Sequence, residues 1–135
     1  MLYVRQARYA DPPYTGGARE RASHYEGNAT MVILDGRSGK GKGSLALTAP
    51  ADDCFLFADL TGRGRREDLV AKDRSWNMWG VSHDGQTLWQ WAGSVGHFPA
   101  IADVDGDGKD EVFVGFALID DNGEPIVVWT TLDLT

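Results

Sequence analysis

The stretch Asp103-Val104-Asp105-Gly106-Asp107-Gly108-Lys109-Asp110-Glu111 lies between two apolar runs, Phe98-Pro-Ala-Ile-Ala102 and Val112-Phe-Val-Gly-Phe116. Three carboxylates at alternate positions repel one another when bare, and desolvating them adds to the cost. A hard cation resolves the conflict. Calcium takes about 6 to 8 oxygen ligands, and loops of the D-x-D-x-D-G kind wrap it with side chains from positions 1, 3 and 5 and a backbone carbonyl from position 7. Here those positions are Asp103, Asp105, Asp107 and Lys109, with Gly108 at position 6 for the sharp turn. An EF-hand would add a bidentate Glu at position 12 and continue as a helix. Position 12 is Val114, inside a β-branched and aromatic run, and the acid comes instead at position 9, Glu111. The stretch therefore reads as a Ca²⁺ loop joining two strands, with Asp103, Asp105, Asp107, the Lys109 carbonyl and Glu111 as ligands. A plain acidic turn has no use for three alternate Asp residues and two glycines.

The same pattern occurs earlier in weaker form. Phe57-Ala-Asp59-Leu-Thr61-Gly62-Arg63-Gly64-Arg-Arg-Glu67 lies over Ile101-Ala-Asp103-Val-Asp105-Gly106-Asp107-Gly108-Lys-Asp-Glu111, so that Asp59 and Asp103 are 44 residues apart. Positions 1, 6 and 9 are kept as Asp59, Gly64 and Glu67, while positions 3 and 5 have become Thr61 and Arg63. A guanidinium at position 5 can stand where the ion would be and satisfy Asp59 and Glu67. The first copy is expected to be metal-free.

Each copy is followed by a strand pair and a tight turn. Asn77–Val81 leads through His83-Asp84-Gly85 into Thr87–Trp91, and Ala117–Ile119 leads through Asp121-Asn122-Gly123 into Pro125–Trp129. Asp-Gly and Asn-Gly favour such hairpins because the central residues need positive φ. The expected fold class is all-β with no helix. Four antiparallel strands recurring at about 40 to 45 residues are the mark of a β-propeller blade. On that reading residues 55–97 form a blade with a degenerate cation loop and 98–135 a blade with the calcium loop, after a partial blade at 30–54 and an irregular segment at 1–29. Ring closure takes typically 4 to 8 blades. Two complete blades and part of a third do not close one alone, which calls for further blades or self-association.

Composition narrows the function. The chain has 135 residues, 42% of them hydrophobic, and a net charge of −7, which suits one domain and argues against nucleic acid, whose phosphates need clustered Lys and Arg. No run approaches the ~18 apolar residues of a membrane span. A single cysteine, Cys54, allows no internal disulfide and reads as a small buried hydrophobe. The first residues, Met1–Tyr9, contain no apolar core of a secretory signal, so the chain reads as either cytosolic or an internal piece of a longer protein. Gly36-Arg-Ser-Gly-Lys-Gly41-Lys42-Gly43 comes close to a phosphate-binding loop, but the hydroxyl is absent at position 43 and Pro50 arrives too soon for the helix required. It reads better as a hairpin tip.

The loop with a strand on either side resembles the FG-GAP/VCBS family of calcium-binding propeller repeats. More narrowly, Ala58-Asp-Leu-Thr-Gly62, Lys72-Asp73-Arg74-Ser75-Trp76-Asn77-Met-Trp79, Gly96-His97-Phe98-Pro99 and Ile119-Asp-Asp-Asn-Gly123 look like the repeats of rhamnogalacturonan lyases of polysaccharide lyase family 11. That resemblance implies an extracellular, calcium-dependent propeller acting on a pectin-like polysaccharide by β-elimination, in which a base removes the proton beside a carboxylate that a metal or cationic side chain neutralises. Where those proteins usually have Arg-Tyr, this chain has Arg74-Ser75. Arg74 and His97 are the candidate substrate-binding residues, with an ion pair of Arg74 to Asp73 or Glu67 and a hydrogen-bonded edge histidine as the structural alternatives. No catalytic residue is assigned. Trp79, Trp89 and Trp91 read as packing between blades or as a sugar platform. The alternative function is a non-catalytic repeat used for adhesion or protein interaction.

Overall fold

The computed structural model describes residues 2–5, 8–9, 25–26, 29–47, 51, 54–73 and 76–129, with the backbone alone for those before Thr30. In chain order the strands are β1 (Leu2–Arg5), β2 (Arg8–Tyr9), β3 (Tyr25–Glu26), β4 (Ala29–Leu34), β5 (Gly41–Leu47), β6 (Phe55–Ala58), β7 (Asp68–Lys72), β8 (Asn77–Val81), β9 (Thr87–Ala92), β10 (Ala100–Ala102), β11 (Glu111–Val114), β12 (Ala117–Ile119) and β13 (Pro125–Val128). No helix occurs among the described residues. β2 pairs with β3, and the rest form three antiparallel sheets ordered β1-β4-β5, β6-β7-β8-β9 and β10-β11-β12-β13.

Two apolar layers hold these sheets face to face. Met31, Leu45 and Leu47 of the first sheet pack with Leu69, Ala71, Trp79 and Val81 of the second. On the other face of the second sheet, Val70, Met78 and Trp89 pack with Val112, Val114, Ala117 and Ile119 of the third. Alternation along β7 does this, since successive side chains point to opposite faces, and all five of its residues are buried. Full burial of each Val, Leu or Ile contributes roughly 1.5–3 kcal/mol. Trp79 and Trp89, 1% and 8% exposed, are thus core residues on opposite faces.

The near-miss phosphate loop is the β4–β5 hairpin tip. Asp35 accepts hydrogen bonds from the Arg37 and Ser38 N–H groups at 3.1 and 2.8 Å, and strand β5 follows where a nucleotide loop would need a helix.

The pairing also corrects the equivalence of the two acidic loops. Ala58 pairs with Asp68 and Ala102 with Glu111, so Asp68, not Glu67, stands where Glu111 does, and the first loop is one residue longer. Gly62 and Gly64 keep the positive φ of Gly106 and Gly108, at 70° and 72° against 82° and 89°. The extra residue therefore falls after Gly64, and Thr61 remains the counterpart of Asp105.

Corresponding rows can then be traced across the sheets. Leu56-Val70-Gly80-Trp89 in the second matches Ala100-Phe113-Leu118-Val127 in the third. The third sheet covers the first of these rows, whereas Phe113 and Val127 are 38% and 37% exposed.

Candidate metal centre and its counterpart in the second sheet

The third sheet's loop bends tightly because Asp103 gathers its backbone. Its carboxylate accepts the Gly106 N–H at 2.7 Å and the Gly108 N–H at 3.1 Å, and the two glycines supply the left-handed conformations that side chains oppose. This brings Asp103, Asp105 and Glu111 together, with ligand oxygens within 4.8 Å of one another. Asp107 stands outside that group. Its carboxylate accepts the Lys109 N–H at 2.8 Å and lies 3.7 Å from the Lys109 Nζ.

Glu111 is the unusual member. It is fully buried; one oxygen accepts the Val104 N–H at 2.6 Å, and the other, Oε1, has no partner. Burial pushes its carboxyl above the ordinary glutamate value, the Val104 and Asp105 N–H groups oppose this, and the charges of Asp105 and Asp107 push it further up. An isolated buried carboxylate is costly. A divalent cation fits this donor set, since hard cations take carboxylate oxygens.

A second group surrounds the same residue. Glu111, Asp120 and Asp121 also offer oxygens within 4.8 Å of one another. Asp120 and Asp121 stand in the β12–β13 turn, in a sequence that reads as a hairpin signal and as one of the lyase-like phrases, not as a ligand set. Burial raises the Asp120 carboxyl, and the charges of Asp121 and Asp105 add to that. Asp121 accepts a 2.8 Å bond from the Lys109 Nζ, which holds that ammonium above its ordinary pKa.

The second sheet closes the corresponding place with its own donors. Asp59 accepts the Arg63 and Arg65 N–H groups at 2.8 and 2.9 Å. Asp68 accepts the Thr61 N–H at 2.9 Å, the Thr61 hydroxyl at 2.7 Å and the His83 N–H at 2.8 Å. The Arg63 guanidinium is not where the sequence places it. It lies 2.7 Å from His83 Nε2, while Glu67 pairs with Arg65 at 3.4 Å.

The two loops are clamped to each other. Arg66 reaches across to Asp110 through Nε and Nη2 at 2.9 and 2.8 Å, and Asp59 and Asp110 exchange a further pair of bonds, Asp59 N–H to the Asp110 carboxylate and Asp110 N–H to the Asp59 carbonyl. Burial pushes the Asp110 carboxyl up, but Arg66 and the Asp59 N–H outweigh it and hold it below the ordinary carboxylate value.

Of the substrate-binding candidates, Arg74 lies outside the described residues. His97 is exposed beside Phe98, with ring centroids 6.3 Å apart, and belongs to neither acidic group. Lys72 and Asp73, which precede Arg74 in its motif, are buried. Lys72 donates to the Asp73 carbonyl, and the Asp73 carboxylate accepts the Trp76 and Asn77 N–H groups.

Two solved structures share this arrangement of sheets. Rhamnogalacturonan lyase YesW matches 78% of the chain at 24% identity with a TM-score of 0.61, and exotype rhamnogalacturonan lyase YesX matches 78% at 22% identity with a TM-score of 0.60. The chain has the fold of part of these lyases. It spans 23% and 22% of their lengths. No family model matches it, and no curated protein does. Among the described residues no helix is long and apolar enough to cross a membrane.

Proposed function

We propose that this chain is a calcium-binding, β-propeller-type segment of a rhamnogalacturonan lyase-like protein that degrades or binds an extracellular, pectin-like polysaccharide. The observation that carries the calcium reading is Glu111, a buried carboxylate with an unpartnered oxygen, gathered with Asp103 and Asp105. Asp107 and the Lys109 carbonyl join them as ligands, and a bound Ca²⁺ ties β10 to β11 and offsets the repulsion in the loop. The family assignment rests on the fold shared with the two lyases together with the loop and strand phrases of the sequence. On this reading the second and third sheets are blades spanning 55–97 and 98–135, and 30–54 belongs to a partial blade whose sheet also takes in β1. Arg74 and His97 are the residues proposed to meet sugar.

Calorimetric titration with Ca²⁺ tests the metal reading: binding by the wild type and its loss from the loop in Asp105→Ala are expected, and binding unchanged in that variant would overturn it. Retention of the chain on immobilised rhamnogalacturonan, weakened by Arg74→Ala, tests the substrate reading. A second reading, a non-catalytic repeat used for adhesion or protein interaction, draws on the exposed row of Phe113 and Val127. Protein retention without sugar binding favours that alternative. A further blade covering the same row serves either function.

A further inference from the structure

The two sheets contain the same hairpin turn with different chemistry. Ser82 N–H donates to the Gln86 carbonyl and Gly85 N–H to the Ser82 carbonyl, just as Asp120 N–H donates to Glu124 and Gly123 N–H to Asp120. Ser82 and His83 thus correspond to Asp120 and Asp121. In the second sheet the turn brings a donor to the buried acid, the His83 N–H on Asp68, and the His83 Nδ1 stands 3.5 Å from the same carboxylate. In the third sheet the turn brings two more carboxylates to a buried acid that already lacks a partner on Oε1. A donor in one sheet is replaced by anions in the other. Such an exchange disfavours the fold unless a cation enters.

We propose a second divalent-cation site between the β12–β13 turn and β11, formed by Asp120, Asp121 and Glu111, with Glu111 bridging it to the loop ion. This rests on the calcium reading of the loop for its bridge, though not for Asp120 and Asp121. One ion does not serve all five acids as they stand: Asp103, Asp105 and Glu111 form one close group, and Glu111, Asp120 and Asp121 another. The charges agree with two ions. With Asp107, the proposed loop ligand beside the same ammonium, six carboxylates carry six negative charges, of which one divalent ion and the Lys109 ammonium offset three.

Asp120 accepts the Asp121 N–H and the Asn122 side-chain amide, and these bonds aim its carboxylate without using up its lone pairs. The Asp121 backbone is fixed from the other side, its carbonyl accepting the Trp89 Nε1–H at 2.6 Å. An ion here fastens the outer turn of the third sheet to its central strand, and places an indole of the second sheet beside the site.

The test is calcium stoichiometry by calorimetry, with terbium luminescence excited through tryptophan as a second readout. Wild type, Asp105→Asn, Asp120→Asn and Asp120→Ser are compared, the serine variant being the solution that the second sheet uses at Ser82. Two ions per wild-type chain are expected, falling to one in both Asp120 variants, with loss of most of the sensitised terbium signal. The signal should survive in Asp105→Asn. One ion in the wild type, abolished by Asp105→Asn and retained by the Asp120 variants, overturns this inference and leaves the loop reading intact. One ion abolished by the Asp120 variants and untouched by Asp105→Asn overturns the loop reading and leaves this site. A single ion weakened by both kinds of variant overturns the second site and makes Asp120 a ligand of the first. No binding at all overturns both.

Discussion

Replacing Glu111 with Gln should stabilise the metal-free protein and abolish most of its response to calcium. The substitution keeps the shape and the acceptor for the Val104 N–H while removing a buried charge whose other oxygen has no partner. It also gives the site an amide donor facing Asp103 and Asp105, or Asp120 and Asp121. Relieving an unsatisfied buried group contributes about 1–3 kcal/mol, which for a domain of this size raises the melting temperature by about 3–5 °C per kcal/mol. With calcium the order inverts. At a free concentration near 100 times the dissociation constant, the ion stabilises the wild type by about 2.7 kcal/mol, and the variant forfeits most of this. pH supplies an independent check. Burial, above all, raises the folded-state pKa of Glu111 over its ordinary value of 4.5, so the folded metal-free state holds the proton more tightly than the unfolded chain. The penalty is fully present above the raised pKa and is relieved as pH falls through it toward 4.5. Asp110, held low, acts in the opposite direction, so the wild type is compared with Glu111→Gln at each pH. The assay is urea denaturation in metal-free buffer and in excess Ca²⁺. A variant less stable than the wild type without metal would mean that Glu111 is not strained when metal-free, and one equally responsive to calcium that it is not a ligand.

Two further outcomes test the packing around the site. A Cβ on Gly80 would come within 2.5 Å of the Trp89 Nε1, so Gly80→Ala should overpack the layer between the second and third sheets and cost about 1–3 kcal/mol, read from urea denaturation followed by tryptophan fluorescence. Arg66→Ala removes both guanidinium bonds from the buried Asp110. Its melting temperature should fall, and Asp110→Asn should restore part of the loss in the double variant; equal losses with and without Asp110→Asn would mean that the pair does not couple the loops.

Much of the fold was legible because β structure writes itself locally. The hairpins at 82–85 and 120–123 follow from Asp-Gly and Asn-Gly signals between apolar runs, and the repeat of the acidic loop separates the second and third sheets. The acid at position 9 was less legible. Glu67 aligns with Glu111 by spacing, but a one-residue insertion is invisible without the pairing of Ala58 with Asp68, and Arg63 turns to His83 once Thr61 has satisfied Asp68. Asp120 and Asp121 are not legible as ligands in the sequence, because turn propensity accounts locally for Asp-Asp-Asn-Gly. Only the fold brings that turn to Glu111. The signal was nevertheless present as a difference: the matching turn of the earlier repeat reads Ser-His-Asp-Gly, without the acid pair.

That difference bears on why the acids of one sheet are met by donors within the chain while those of the other leave an oxygen unpartnered. The second sheet is packed on both faces, and its loop acids are met by backbone, hydroxyl and His83 donors, so its turn and loop are fixed by bonds already within the chain. Among the described residues the third sheet packs an apolar cluster on one face; β13 is exposed at all four positions, and on the other face Phe113 and Val127 are partly exposed, although Leu118 between them is buried. Less burial holds its strands together, and its acids oppose the loop and turn coming close. Ions at Glu111 would act at this weak place, converting repulsion between loop, central strand and outer turn into attraction. A neighbouring sheet on that row would act on the same strands from the other side. Calcium and such a neighbour should therefore stabilise the third sheet cooperatively, each reducing the ordering cost left for the other.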